Sequence, residues 1–311
     1  MRVLFMGSGD VACPALQRLL AHSAYDVVAV VAQPDKPKGR DRRVGSCPAK
    51  AYAEAQGVPV LTPKRIGAPE AKADIKALAP DIIVVAAYGQ YIKPAVLEIP
   101  PRRAINIHPS LLPAYRGATP IQWALANGET KTGVTILYVC TEMDAGDIIM
   151  QRELPIDPND TTATLTPRLA ELGADLLLQA LQAIRDGTAT RTPQNEEQAT
   201  LVHKLEKEDG RIDWRLPAEM IRNRIRGFTP WPGCFTTCHG RLLKIKEAQV
   251  LRERVTATPG TVLHCDAEGP VIATGQDRLR LTQVQPEGKK EMTGTAYLCG
   301  RTLNVGDVLG V

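Results

Sequence analysis

Five short apolar runs recur through the first third of the chain, at 3–6, 27–32, 58–61, 82–86 and 104–108, and the stretches between them carry apolar residues at helical spacing. The helical patterns lie near 12–21, 48–56 and 69–78. Strands separated this way cannot be joined by tight hairpins, so each returns to the sheet through a covering helix. The expected architecture is α/β, a Rossmann-like, mostly parallel sheet with helices on both faces. Ser46 two residues before Pro48, and Thr119 directly before Pro120, mark helix starts, because proline tolerates the first turn. Two further strands are expected at 133–139 and 147–152, flanking a turn at 141–146, and a long helix at 163–185.

After Gly187 the pattern changes. Residues 188–200 are polar, rich in Thr, Gln and Glu, and broken by Pro193, which reads as a linker. Beyond it, short alternating runs at 242–245, 261–264, 271–273 and 279–284, separated by Gly, Pro or Asp, predict a second, smaller C-terminal β-barrel of OB-like type. The expected division is 1–187 for a catalytic domain, 188–206 for a linker and 207–311 for the barrel. Charge divides unevenly: 21 Lys+Arg balance 21 Asp+Glu through residue 200, whereas residues 201–311 carry 17 against 13. The whole net charge of +4 therefore lies in the last third, the part suited to an anionic partner. No apolar stretch approaches the ~20 residues of a membrane span, and Met1-Arg2 runs straight into a strand with no signal-peptide pattern. Seven scattered cysteines, an odd number, fit reduced thiols better than a disulfide framework. A cytoplasmic protein without membrane contact is expected.

Chemistry concentrates at the end of the fifth run. Asn106 and His108 are two apart and so share one face of a strand, while Pro109, Pro113 and Gly117 end regular structure behind them. In open α/β sheets ligands bind outside the carboxyl ends of the strands. An amide that can donate to an oxyanion beside an imidazole that can move a proton suits acyl-group transfer. Asp144, in the Asp-Ala-Gly-Asp turn at 144–147, offers a carboxylate that would orient His108 if the turn leans towards it.

Other constellations compete. Gly7-Ser8-Gly9-Asp10-Val11-Ala12 follows a strand and precedes a helix, with Asp35 after the second strand, which is the text of a dinucleotide-binding turn. A nicotinamide oxidoreductase is therefore one alternative, and a tight strand-to-helix turn needing small residues is the other. Residues 34–47 hold five basic residues, two Pro and two Gly, predicting an exposed, mobile loop able to embrace phosphates. Cys234, Cys238, His239, His264 and Cys265 form a possible zinc set, although the adjacent His-Cys pair lacks the usual ligand separation.

Asn106 and His108 followed by Ser110, Leu111, Leu112, Pro113 and Arg116-Gly117, with Asp144, Gly146 and Asp147 downstream, resemble the formyltransferases that use 10-formyltetrahydrofolate. Matches at 85–89, 212–214, 230–232 and 288–290 carry the likeness across both proposed domains and toward the branch acting on methionyl-tRNA. Free-standing glycinamide ribonucleotide formyltransferases are similar to the first portion only. The resemblance implies that Asn106, His108 and Asp144 carry catalysis and that Ser110, Leu111, Leu112 and Pro113 line the folate pocket. It further implies that the loop bearing Lys38, Arg40, Arg42 and Arg43 enters the acceptor end of a tRNA held by the C-terminal barrel. The partners it implies are 10-formyltetrahydrofolate as formyl-donor co-substrate and initiator methionyl-tRNA as acceptor, with no metal and a monomeric enzyme. Ser8-Gly9 stands where many relatives carry Thr-Pro, and Ala114 where many are basic.

Overall fold

The computed structural model describes residues 1–38, 43–300 and 303–310. The chain divides into two compact units, one of Met1–Gly117, Lys131–Pro155 and Thr166–Val202, the other of Ala118–Thr130, Ile156–Leu165 and His203–Val311. The first unit holds β1 (Arg2–Gly7), β2 (Asp26–Val31), β3 (Lys36–Lys38), β4 (Arg43–Gly45), β5 (Val60–Leu61), β6 (Ile82–Ala86), β7 (Ala104–His108), β8 (Arg116–Gly117), β9 (Lys131–Tyr138), β10 (Ile148–Pro155) and β11 (Leu201–Val202). Seven of these strands form one sheet in the order β10-β9-β7-β6-β1-β2-β5, with every pairing from β5 to β7 parallel and β9 and β10 antiparallel at one edge. Val3, Leu4, Phe5 and Met6 of β1 and Ile82, Ile83 and Val84 of β6 are fully buried, the continuous apolar reading of strands covered on both faces.

Proline sets the helix starts. Helices α1 (Cys13–Ala21), α2 (Pro48–Ala55), α3 (Pro69–Ala77), α4 (Pro94–Leu97) and α5 (Pro120–Ala126) each have Pro in their first two positions, where its missing N–H leaves no donor unsatisfied. The long α6 (Thr162–Asp186) instead contains Pro167 inside its second turn, next to the point where the chain passes from one compact unit to the other.

From β1 the chain builds outward through β2 and β5, then returns to β6 and β7 on the opposite side of β1, so the order reverses between β1 and β6. The small residues after β1 let these strand ends meet. A Cβ on Gly7 would stand 2.9 Å from the Ala86 carbonyl oxygen and 2.8 Å from the Ala12 methyl. The Ser8 hydroxyl donates to the Tyr88 carbonyl at 3.3 Å and accepts from the Gln33 amide at 3.0 Å. Asp35, the acid a nucleotide ribose would need, is held by the Lys50 ammonium at 2.7 Å. Packing therefore accounts for the turn. The basic stretch differs from a plain loop, since β3 and β4 pair antiparallel. Arg40 and Arg42 lie outside the described residues.

The second unit contains α5, α7 (Ala218–Phe228), β12 (Cys234–Cys238), β13 (Arg241–Leu251), β14 (Val262–Asp266), β15 (Gly269–Ala273), β16 (Arg278–Pro286), β17 (Met292–Thr293) and α8 (Gly294–Cys299). Its antiparallel sheet runs β12-β13-β16-β15-β14, with β17 on β16. The four runs read from the sequence fall in β13 to β16. Register shifts around Glu247 let the 11-residue β13 bend, as a curled sheet requires. Trp214, Phe228, Ile245, Leu281 and Tyr297 form its core. Cys234 is buried there, its thiol pushed up to about 12 by desolvation. Among the described residues no three His, Cys, Asp or Glu side chains gather to hold a metal ion, and no helix is long and apolar enough to cross a membrane.

Residues 118–130, far from the C-terminal half in sequence, belong to this core. Trp123 of α5 meets the Phe228 ring edge-on at 5.5 Å, and a Cβ on Gly227 of α7 would lie 2.7 Å from the Gln122 carbonyl oxygen and 2.9 Å from the Ala126 nitrogen. Gly227→Ala must push the two helices apart, and an overpacked contact of this kind destabilises by about 1–3 kcal/mol. Urea denaturation followed by tryptophan fluorescence reads the change. An unshifted midpoint would show that the helices are not in close contact.

Candidate active site

β7 lies between parallel β6 and antiparallel β9, which places Asn106 opposite Leu137 and His108 opposite Thr135. His108 is 3% exposed and Asn106 half-buried at the carboxyl end of the strand. Asp144 arrives from the turn between β9 and β10 with φ of 53°, a left-handed conformation that Asp tolerates better than most residues. Its carboxylate serves three groups. Oδ1 accepts from Asn106 Nδ2 at 3.3 Å, and Oδ2 accepts from the Gly117 amide at 2.9 Å and stands 3.5 Å from His108 Nδ1.

The second imidazole nitrogen defines the first. His108 Nε2 is 2.9 Å from the Tyr115 carbonyl oxygen, and a carbonyl only accepts, so Nε2 carries a proton and Nδ1 is the nitrogen that faces Asp144. A proton arriving at or leaving the imidazole therefore passes beside the carboxylate. The structure brings Asp144 to the Asn106–His108 pair read from the spacing, so that all three meet around one point.

Ser110, Leu111, Leu112 and Pro113 follow His108, and most of their polar groups turn inward. The Ser110 hydroxyl donates to the Ala114 carbonyl at 2.7 Å. Thr135 Oγ1 donates to the Ser110 carbonyl at 2.7 Å and accepts from the Leu112 amide at 3.1 Å, while Gln151 Nε2 donates both to Thr135 Oγ1 and to the Leu112 carbonyl. Ser110 and Leu112 are buried; Leu111 and Pro113 are half-exposed. Across the sheet end, Tyr91 donates its hydroxyl to the Thr141 carbonyl at 3.2 Å, and Tyr91 and Met143 leave apolar side chains in solvent beside the turn that carries Asp144.

Residues to which the sequence reading gave no role hold this arrangement. Thr135 is a buried hydroxyl within the apolar run of β9, and Gln151 an exposed residue of β10, and neither carries a local mark of its role. Arg116 is 5% exposed, and its two terminal nitrogens reach Glu196 at 2.9 and 2.7 Å. Those bonds hold the Glu196 carboxyl below the usual carboxylate range. Gln194 accepts from Arg116 Nε at 3.0 Å and donates to the carbonyls of Asp144 and Gly146 at 2.7 and 2.8 Å. Nothing in a polar, linker-like segment announces such a residue.

Residues 1–181 match the Formyl transferase family, and residues 204–302 match the Formyl transferase C-terminal domain. The methionyl-tRNA formyltransferase of Geobacter metallireducens is 42% identical over 310 residues, covering 100% of this chain and 99% of its own. That of Chloroflexus aggregans is 46% identical over 301 residues, 96% of this chain and 97% of its own. Among solved structures the fold is similar to WlaRD, a sugar 3N-formyl transferase, with a TM-score of 0.68 and 20% identity over 93% of this chain and 99% of that one. It is also similar to HypX from Aquifex aeolicus in complex with tetrahydrofolic acid, with a TM-score of 0.61 and 21% identity over 98% of this chain and 48% of that one.

Thr135→Val keeps the shape of the side chain but leaves the buried Leu112 amide without its acceptor and the Ser110 carbonyl without its donor. A buried donor left unmatched costs roughly 1–3 kcal/mol, so the urea midpoint should fall accordingly. A midpoint equal to that of the parent would mean Thr135 is not the link between β9 and residues 110–112.

Proposed function

This chain belongs to the formyl transferase family, alongside relatives named methionyl-tRNA formyltransferase, and from that premise we propose that it transfers the formyl group of 10-formyltetrahydrofolate to the α-amino group of initiator methionyl-tRNA. The product is N-formylmethionyl-tRNA for translation initiation, made in the cytoplasm. The convergence of Asn106, His108 and Asp144 at one strand end carries the reading. All the reacting groups come from one chain, which suits a monomer.

The surroundings fit a folate donor. The exposed apolar faces of Tyr91 and Met143 suit a flat heteroaromatic ring, and the wall of Ser110, Leu111, Leu112 and Pro113 would bound the other side of the pocket. Bound there, the folate supplies an electrophilic formyl carbon on nitrogen. Asn106 has a second amide hydrogen to donate to the formyl oxygen as negative charge develops on it, an interaction worth on the order of 3 kcal/mol. The methionyl amine attacks as its free base, a C–N bond forms, and the bond from carbon to the folate nitrogen breaks. Asp144 and His108 take up the proton the amine sheds and deliver one to the departing nitrogen. Residues Lys38, Arg40, Arg42 and Arg43 would contact phosphates of the acceptor end, and the basic C-terminal unit would hold the tRNA body.

Incubation with 10-formyltetrahydrofolate and separately charged initiator and elongator methionyl-tRNAs tests the reading, with N-formylmethionine expected on the initiator. Formyl transfer to an amino sugar and none to either tRNA would overturn it. His108→Ala and Asp144→Asn should each lower kcat by roughly 10²–10⁴-fold, the usual contribution of a positioned proton-transfer group, while KM for tRNA changes little. Turnover unchanged in both variants would reject these roles. Neutralising Lys38, Arg40, Arg42 and Arg43 together should raise the KM for tRNA, leave folate affinity alone, and flatten the salt dependence of tRNA binding by about 0.7 in log–log slope per lost phosphate contact. Identical slopes would remove the basic stretch from the tRNA interface.

A further inference from the structure

The polar segment 188–202 is a strap. Thr192 exchanges two backbone hydrogen bonds with Ile148, at 2.8 and 3.0 Å, and Thr190 Oγ1 donates to the Ile149 carbonyl at 3.0 Å. The Arg191 guanidinium stacks 4.2 Å from the centre of the Tyr138 ring. Farther along, the Thr200 amide donates to the Pro113 carbonyl at 3.2 Å, the Thr200 carbonyl accepts from the Arg116 amide at 2.8 Å, and β11 pairs with β8. One stretch of chain is thus bonded both to the segment that leaves the Asp144 turn and to the loop whose carbonyl holds His108.

Gln194 is where the strap touches the turn itself. Its Nε2 has two hydrogens and meets two carbonyl oxygens, those of Asp144 at 2.7 Å and Gly146 at 2.8 Å. Its Oε1 meets Arg116 Nε at 3.0 Å. The amide cannot flip, because a guanidinium only donates and must face the oxygen, which leaves the nitrogen for the carbonyls. Arg116 is in turn locked by its two bonds to Glu196. The Asp144 turn therefore has its carbonyls gathered by a side chain of fixed orientation, while the Asp144 backbone sits in the left-handed region.

Resting on the formyl-transfer reading above, we propose that Gln194, oriented by Arg116, is a positioning residue: by drawing the carbonyls of Asp144 and Gly146 together it fixes the turn so that the Asp144 carboxylate reaches Asn106, Gly117 and His108. Gln194 touches none of the reacting atoms. It acts through the placement of Asp144.

Gln194→Glu tests this, because it keeps the size and the acceptor toward Arg116 but gives the two carbonyls no donor. The expected result is a fall in kcat on the order of 10–10²-fold, the penalty of a catalytic group displaced by about an ångström, with KM for folate and for tRNA within about threefold of the parent. In an Asp144→Asn background the same change should lower kcat by less than about twofold further, since both act through one carboxylate. A second readout does not depend on turnover: exchange of the Gly117 amide hydrogen, which is donated to Asp144 Oδ2, should accelerate by on the order of tenfold in Gln194→Glu. Asn195→Ala serves as the comparison. It gives up one exposed hydrogen bond, from the Glu197 amide, and its side chain is not hydrogen-bonded to Arg116, Glu196 or residues 144–146, so both readouts should stay near parental values. The proposal is overturned if Gln194→Glu keeps parental kcat and Gly117 exchange, if Asn195→Ala matches its losses, or if the loss in the Asp144→Asn background is as large as in the parent. A parent protein that transfers no formyl group would sink the functional reading, and Gly117 exchange would still decide the role of Gln194.

Discussion

One carboxylate has to meet an amide from a strand, a backbone N–H from a loop and an imidazole, all at once. Asp144 does this with two oxygens, and its three partners reach it from two stretches of chain: Asn106 and His108 from the end of β7, Gly117 from β8. The geometry follows from the sheet. Parallel strands end on the same edge, so the carboxyl ends of β1, β6 and β7 stand side by side, whereas antiparallel β9 ends beside Ala104 and Ile105 at the start of β7, and the turn that follows it carries Asp144 back to Asn106 and His108. A β10 parallel to β9 would need a long crossover in place of that turn and would carry Asp144 away from the strand end.

The imidazole shows how little freedom the arrangement leaves. With Nε2 bonded to the Tyr115 carbonyl, the ring is fixed in rotation and in which nitrogen carries its permanent proton. Tyr115 itself sits with φ of 62°, and its amide donates to Thr200 Oγ1 at 2.7 Å. The carbonyl that orients the histidine is therefore held by the polar strap and not by a hydrophobic core. Preorganisation here is a chain of hydrogen bonds: strap to loop, loop to imidazole, imidazole to carboxylate.

Much of this was legible in the sequence, and the reasons differ from element to element. The alternation of apolar and amphipathic stretches announced the parallel sheet because a parallel pair needs a covering crossover, and Pro48 and Pro120 announced helix starts because proline lacks the N–H that a first turn leaves unused. Asn106 and His108 were readable as a pair from their spacing alone. Other features carried no local mark. The packing of α5 and residues 118–130 into the C-terminal core rests on the close approach of Gly227 to Gln122, a contact between residues a hundred positions apart. The basic stretch read as a loop because its composition cannot pack, yet the backbone of 36–38 and 43–45 pairs, which needs no apolar side chains at all.

The strap exposes the deeper reason for such misses. Composition reports whether side chains prefer water to hydrocarbon, and it does not report which polar partner they find. A segment of Thr, Gln and Glu satisfies its hydrogen-bonding groups equally well in solvent or on protein carbonyls, and the two outcomes look alike in sequence. What separates them is the supply of unmet partners nearby. The 113–117 and 144–148 segments leave carbonyls and amides that their own turns do not satisfy, and buried Arg116 needs an acceptor for each of its nitrogens. Once the sheet has placed those groups together, a polar segment passing over them is drawn into bonds that rigidify the site. A linker-like stretch that borders a strand-end cluster of charged and turn residues is on these grounds a candidate for part of that cluster, and its glutamines are the residues to examine first, since one amide can donate twice and accept twice.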